Sequence, residues 1–598
     1  LKPMKATETT KMPSNDFGLA EVKYDGFRCM VLLTANRIEL RSRNDRILNS
    51  TFPEVVSALE KVQENLKPSL PLLMDGELVC LQNAYASHFH IVQTRSRMTN
   101  QVRIKRESII HPCQWIAFDL PQERKAYTER RYELIQLCQK ANISQLSPSC
   151  WQNTLHCISS DTITSVYDLV QRFNGEGLIA KNTKGLYHDG TRTKEWLKLK
   201  RYRYISVLVT FYEESNGYFH GSVRDNQQLL KVAVFKHGIT SEEHKTLKQF
   251  FLSHGKKEKT GISLPPTIVV ELACIDFAGG QLREVHFARF KHDTKVETVT
   301  LLSLYRSLFP LPETLHTTSL DKPLWAHTNK KEYLNYLQAA SSFMLPFLHN
   351  RALTVIRFPH GTMQKERFYQ KHVPNYAPDY VQTAWLENIE YILCNNPDTL
   401  LWLGNQLALE LHVPFQPVQY SKPSEIVLDL DPPDYTTFSL AREAALDIKL
   451  IFERFDLPFF CKTTGGKGLQ IHVPLQEDAI SYEETARFLS FVAQFLSKQK
   501  KELYTTERLK RNRKGRLYLD YVQHSFNKTV IAPYSMRESG YIATPLTEEE
   551  LHSTTLTPEQ FTQKMVYERF LRLQNPFANY NHKRVSRSEF LKILDKIQ

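Results

Sequence analysis

Residues 19–28 read Leu19-Ala20-Glu21-Val22-Lys23-Tyr24-Asp25-Gly26-Phe27-Arg28. Apolar runs at 19–22 and 29–33 flank a lysine, an Asp-Gly pair and an arginine, which predicts strand, tight turn, strand. Gly26 permits the turn. Such a turn can push the Lys23 amine out of a sheet and into a cleft. A lysine is a poor nucleophile while protonated and becomes a good one when desolvated or set near other cations. The alternative is a polar hairpin with a solvated lysine. The choice depends on whether the rest of the chain supplies a nucleotide site.

The 598 residues are too many for one core and predict about three to five domains. Lys and Arg number 77 against 64 Asp and Glu, a formal charge of +13, which favours a polyanionic partner such as nucleic acid. No run of about 18 apolar residues occurs, so no membrane helix is expected. Leu1-Lys2-Pro3-Met4-Lys5 has no apolar run behind it, so no secretory leader is expected either. The nine cysteines are scattered and form no Cys-x-x-Cys pair. That predicts a reducing cytoplasm and no cysteine zinc site.

Further parts of a site follow in order. Arg41-Ser42-Arg43-Asn44-Asp45 is a polar turn after a strand at 37–40, and an amphipathic helix is predicted over 53–66. Asp75-Gly76-Glu77 leads a strand, Phe118-Asp119 ends one, and Glu176 precedes Gly177-Leu178-Ile179-Ala180-Lys181. Trp196-Leu197-Lys198-Leu199-Lys200 alternates, with both lysines on one face. Each piece alone has a structural reading: a turn, a core aromatic, a solvated strand face. Together they supply what a nucleoside triphosphate needs: a stacking ring, carboxylates for ribose and Mg²⁺, and cations for the α-phosphate.

In this order and spacing the set resembles the covalent nucleotidyltransferases, specifically the ATP-dependent DNA ligases, over residues 1 to about 300. The resemblance implies that Lys23, with Asp25 beside it, forms a lysyl-AMP adduct from ATP. Glu21 would contact the adenine edge, Phe118 would stack on it, and Glu77 would bind the ribose. Glu176 would hold a metal. Lys198 and Lys200 would hold the α-phosphate. Arg28 would serve the nucleotide, and with Arg43 would meet the 5′-phosphate of a nick.

From 204 onward, short alternating strands at 205–212, 217–224, 229–235 and 267–274 predict a small β-barrel, an OB-fold by resemblance. It closes on Leu282-Arg283-Glu284-Val285-His286-Phe287-Ala288-Arg289-Phe290-Lys291-His292-Asp293-Thr294. The family's last motif, thought to orient the leaving pyrophosphate, ends Arg-x-Asp-Lys. Here Lys291 and Thr294 replace its first and last residues, which predicts slow self-adenylation or a lysine that arrives already charged. Pro310 and Pro312 mark 301–316 as a linker.

The second half carries Glu425-Ile426-Val427-Leu428-Asp429-Leu430-Asp431-Pro432-Pro433. Asp429 and Asp431 share one strand face, and adjacent like charges suit a divalent cation. Asp520, on a later strand, is a third candidate, as in two-metal nucleotide addition. Thr463-Thr464-Gly465-Gly466-Lys467-Gly468 is a glycine loop able to approach phosphates, without P-loop spacing. The run 508–516 is the densest basic stretch.

These residues, with Lys528 and Arg537 downstream, resemble the primase-type polymerase domain of bacterial Ligase D over about 317–598. The resemblance implies nucleotide contacts from Lys371, Lys467, Lys528 and Arg537. Gln470 stands where the family often has a triphosphate-binding His, so Lys467 is named for that contact, with His472, two residues along the same face, or Gln470 itself as the alternatives. Lys322 and Lys330 would grip a downstream 5′-phosphate.

The predicted fold class is therefore an α+β multidomain chain: ligase adenylation domain (1–203), OB-fold (204–300), linker (301–316) and primase-type polymerase (317–598). The predicted function is a bifunctional end-joining enzyme using ATP, NTPs or dNTPs, Mg²⁺ and Mn²⁺. Its partners would be double-stranded DNA ends and nicks and the Ku protein, in the cytoplasm at the nucleoid. The family's phosphoesterase domain is not expected. Two rivals are an RNA ligase or capping enzyme that also uses Lys23, and a non-catalytic DNA-end scaffold.

Overall fold

The structure is a computed structural model that describes residues 2–597 apart from 122–123, 326–327 and 365. The chain divides into two compact units, 1–314 and 315–598. Among the described residues, no helix is long and apolar enough to cross a membrane.

In the first unit two five-stranded sheets carry the adenylation residues. One runs Lys5–Thr9, Arg192–Lys200, Gly177–Asn182, Gly18–Val22, Ser160–Asp161; the other runs Ile38–Ser42, Phe27–Leu33, Leu72–Val79, Gln114–Asp119, Leu155–Cys157. The strands on either side of Lys23 therefore lie in different sheets. Both strands form as the sequence predicts, but residues 23–26 do not close a hairpin: they carry the chain from one sheet to the other. The need for glycine at 26 is one of space. A Cβ there would lie 2.3 Å from the Leu78 carbonyl oxygen and 2.9 Å from Glu77 Cγ. The crossing thus packs directly on the strand that bears Asp75 and Glu77.

Helix Pro53–Leu66 forms where the apolar spacing puts it and buries Val55, Leu59 and Leu66. Beyond Lys200 follows an antiparallel, OB-type sheet built on the long strand Arg203–Glu213, which pairs with Tyr218–Asp225, Gly261–Ser263 and Val269–Cys274. Helix Ser241–His254, capped by Thr240 and Glu243, interrupts the run of strands that the sequence pattern predicts. The stretch read as a linker begins instead with a helix, Leu301–Ser307. It buries Leu301, Leu304 and Tyr305 and so belongs to the first unit's core.

In the second unit the central sheet runs Phe460–Thr463, Leu469–Pro474, Glu425–Asp431, Leu517–Asp520, Tyr504–Thr505. Leu428 and Leu430 enter a core with Ala441, Ala445, Phe488 and Val492 from two helices, Phe438–Arg454 and Tyr482–Gln499. Alternation along the strand then turns Asp429 and Asp431 to the other face. A second sheet runs Phe368–Gln370, Thr354–Arg357, Ala408–Pro414, Thr529–Ile531.

Candidate active sites

In the first unit a cavity of about 270 Å³ is lined by Glu21, Lys23, Arg28, Arg43, Glu77, Phe118 and Lys198. These seven side chains are drawn from both sheets, from the crossing segment that carries Lys23, and from the turn after Ile38–Ser42. Lys23 ion-pairs with Glu176, whose carboxylate is buried. Burial pushes the Lys23 ammonium down, but Glu176, with Asp25 and Glu77 behind it, holds it above the ordinary lysine range. The second Glu176 oxygen, Oε2, is buried without a hydrogen-bond partner. A buried carboxylate with an unused oxygen beside a cation is the donor chemistry a divalent ion would take. Burial raises the Glu77 carboxyl to about 8, against the opposing pull of Arg28 and Lys23.

Arg28 departs from its expected use. Its Nε donates to Asp75 Oδ1 at 2.7 Å and Nη2 to Asp75 Oδ2, while Tyr187 donates to the same carboxylate at 2.6 Å. The guanidinium also stacks 4.5 Å from the Phe118 ring centroid. It is a half-buried cation on the cavity wall, already paired bidentately with Asp75 rather than free to meet a nick phosphate. Arg43 is exposed at the rim of the cavity. Glu21 is engaged as well. Lys181 pairs with it at 2.7 Å, and the Tyr127 hydroxyl donates to its other oxygen.

Lys198 and Lys200 point the same way, as the alternation predicts, and both meet Glu8 Oε2, at 3.0 and 3.2 Å. Register accounts for this: Lys5–Thr9 runs parallel to Arg192–Lys200 with Glu8 opposite Lys198. The lysine pair holds the Glu8 carboxylate near 2, against burial. Lys200 also donates to Glu284 at 2.6 Å, and Asp25 accepts from Arg283 Nη1 at 2.6 Å. The Lys291 amine lies 3.9 Å from Glu271 on the barrel.

In the second unit one row crosses the central sheet. Lys462 is opposite Gln470, Gln470 opposite Asp429, and Asp429 opposite Asp520. Burial, and then the charges of Asp520 and Asp431, raise Asp429 to about 6, although Gln470 donates to it. Asp429 Oδ1 and Gln470 Oε1 are both buried without partners. Asp431 is held by Lys467 at 2.9 Å and Arg513 at 2.8 Å. Among the described residues, no three His, Cys, Asp or Glu side chains converge as a ready ion site. The donor set still fits a divalent cation: three carboxylates on adjacent strands, one with an orphaned oxygen. Lys462, missed in the sequence, is fully buried, and burial lowers its amine to about 7.

The glycine loop is tighter than expected. Gly466 and Gly468 N–H both point to Thr464 Oγ1, at 3.3 Å each. Arg537 braces it, donating to the Thr464 carbonyl at 2.9 Å and to Glu410 at 2.7 Å. Lys371 and Lys528 are exposed. Two other expectations need correction. His472 is buried on Glu425 at 3.0 Å, with Arg351 and Tyr580 on the same carboxylate and the rings of Phe577 and Tyr580 over it. It is a core residue and not a nucleotide ligand. Lys330 is 3% exposed and donates to the Thr318 carbonyl at 2.6 Å. Burial and the Lys322 charge lower its amine to about 8; Lys322, only half-buried, is the more accessible cation of the two.

Residues 2–200 match the family described as ATP dependent DNA ligase domain, and residues 329–577 the family described as LigD, primase-polymerase domain. The chain is 36% identical over 572 residues to the bifunctional non-homologous end joining protein LigD of Bacillus subtilis (strain 168), spanning 94% of this chain and 93% of that protein. It is 30% identical over 262 residues to the multifunctional non-homologous end joining protein LigD of Mycolicibacterium smegmatis, spanning 42% of this chain and 34% of that protein. Among solved structures, the polymerase domain of Mycobacterium tuberculosis Ligase D in complex with DNA aligns at 27% identity. That alignment covers 45% of this chain and 99% of that one, with a TM-score of 0.42.

Proposed function

The chain belongs to the LigD family of non-homologous end joining proteins, an ATP-dependent DNA ligase joined to a primase-polymerase, and on that premise we propose how its residues divide the work. The domains run 1–203 for adenylation, 204–300 for the OB-fold and 317–598 for the polymerase, with the helix Leu301–Ser307 attached to the barrel.

Lys23 is the ligase nucleophile. Its Nζ forms the bond to the ATP α-phosphorus as the bond to pyrophosphate breaks. AMP then passes to a 5′-phosphate at a nick, and the 3′-hydroxyl displaces AMP to leave a phosphodiester. The observation that carries this is the cavity that gathers Lys23, Phe118, Glu77 and Lys198. Phe118 offers the base a ring face, Glu77 a hydrogen-bonding carboxyl for the ribose, and Lys198 with Lys200 a cationic pair for the α-phosphate. Asp25 and Arg28 order the site, and Arg43 at its rim meets DNA. Such displacements depend on alignment and charge neutralisation.

Asp429, Asp431 and Asp520 are the polymerase carboxylates. Lys467, Arg537, Lys371 and Lys528 serve the incoming nucleotide, and Lys322 serves a 5′-phosphate. Glu176 would hold one divalent ion and the three aspartates others, Mg²⁺ or Mn²⁺, whose chemistry is to neutralise charge developing on phosphate oxygens. What supports Ku and double-stranded ends as partners is family membership together with the +13 charge.

The test is incubation with α-labelled ATP followed by denaturation. Wild type should carry label and Lys23→Ala none; a labelled Lys23→Ala protein ends the assignment. Asp429→Ala with Asp431→Ala should lose nucleotide addition and keep nick sealing.

A further inference from the structure

The barrel sends one hairpin to the ligase site. Strands Asp276–Ala278 and Gln281–Arg283 are joined through Gly279 and Gly280, both at positive φ and both with open space where a Cβ would stand. Gln281 ties the hairpin back to the Lys231 carbonyl at 2.8 Å. At its end, Arg283 and Glu284 form two ion pairs with residues of the adenylation site. Arg283 donates to both Asp25 oxygens, at 2.6 and 3.4 Å, and stacks 4.2 Å from the Phe89 ring centroid. Glu284 accepts from Lys200 at 2.6 Å. Its φ is +51°, a region that side-chain-bearing residues avoid and that persists when surrounding contacts hold it. Lys200 is 8% exposed and Glu284 45%.

A carboxylate oxygen and a phosphate oxygen are alike to an ammonium: each is a compact anion that accepts its hydrogen bonds. We propose that Glu284 occupies the phosphate position on Lys200 in the nucleotide-free ligase, so that ATP must displace it, and that this exchange releases one of the two pairs seating the hairpin on the adenylation domain. The inference rests on the reading of Lys200 as an α-phosphate contact. Glu284 acts through Lys200 and is a positioning residue. Lys200 already holds Glu284 at 2.6 Å and Glu8 at 3.2 Å, so a phosphate arriving on the same ammonium is repelled by the Glu284 carboxylate, and each weakens the other's hold by the same factor. Arg283 remains on Asp25 when Glu284 lets go, so the hairpin loosens without the barrel being lost.

The test measures lysyl-AMP formation against ATP concentration in the full chain. Glu284→Gln should lower the half-saturating ATP about two- to fivefold, the scale of a partly exposed ion pair, and should move it more than the maximal rate. In a Lys200→Met background the same substitution should leave half-saturating ATP unchanged, because the partner is gone. Adding ATP to wild type should also speed amide hydrogen exchange across 276–284. An unchanged or higher ATP requirement in Glu284→Gln overturns the proposal, as does a shift that survives in Lys200→Met. If Lys200→Met itself leaves ATP dependence untouched, the phosphate reading of Lys200 fails instead, and the two failures are told apart.

Discussion

Asp429 and Asp520 face each other directly across two antiparallel strands, where side chains on one face of a sheet interact. Burial, and then Asp520 and Asp431, raise Asp429 to about 6. A cation there competes with a proton. The part of Mn²⁺ binding that Asp431→Ala removes should therefore weaken below about pH 6, by up to tenfold per pH unit, and level off above about pH 7. Electron paramagnetic resonance of free Mn²⁺ measures this without any turnover. Affinity that stays flat from pH 5 to 7 would refute it.

Glu77 gives a prediction about stability. Its carboxyl is raised to about 8 by burial, so between the unfolded value near 4.5 and pH 8 the folded protein holds a proton that the unfolded chain has lost. Stability then falls as pH rises through that window. Glu77→Gln keeps the neutral shape and removes the penalty. The substitution should stabilise the nucleotide-free protein by about 1–3 kcal/mol at pH 8.5 and by almost nothing at pH 4.5. Denaturant unfolding at the two values checks it, and a gain confined to acid pH would contradict it.

His472 separates two roles cleanly. Its Nδ1 lies on Glu425, which Arg351 and Tyr580 also bind, and these partners hold the Glu425 carboxylate far below the usual range despite burial. His472→Ala leaves that buried acid short of one partner. The expected cost is about 2–4 kcal/mol of second-unit stability. The nucleotide KM of protein still folded at low temperature should be unchanged. A large KM increase with normal stability would restore His472 to the nucleotide site.

The strands were legible because their signals are local. Alternation in Trp196–Lys200, and the apolar partners of Asp429 and Asp431 on one strand, are decided within five or six residues. Helix Pro53–Leu66 likewise has its period and its N-terminal proline in sequence. The occupants of the sites were not legible, because register decides them over long separations. Glu8 reaches Lys198 because the N-terminal strand pairs parallel with residues some 190 positions away. Asp75 claims Arg28 across a strand pair, and Glu425 claims His472 in the same way. A histidine two places along a strand face looks equivalent in sequence. The Glu425 carboxylate and the aromatic cover from Phe577 and Tyr580 distinguish it.

Lys23 keeps its proton because of Glu176. Burial alone would lower the Lys23 amine, and the buried Glu176 carboxylate outweighs that. In the nucleotide-free protein the nucleophile is therefore an ammonium, and it cannot attack phosphorus until the proton leaves. Glu176→Gln removes the opposing charge and leaves the burial. The Lys23 pKa should then fall. Reductive ¹³C-methylation read by NMR across pH, with Lys23→Ala to identify the resonance, reports it directly without ATP. A resonance that titrates at the same or higher pH in Glu176→Gln would mean that Glu176 does not govern the nucleophile's charge. A fall would mean that whatever neutralises Glu176 on nucleotide binding also frees Lys23 to react.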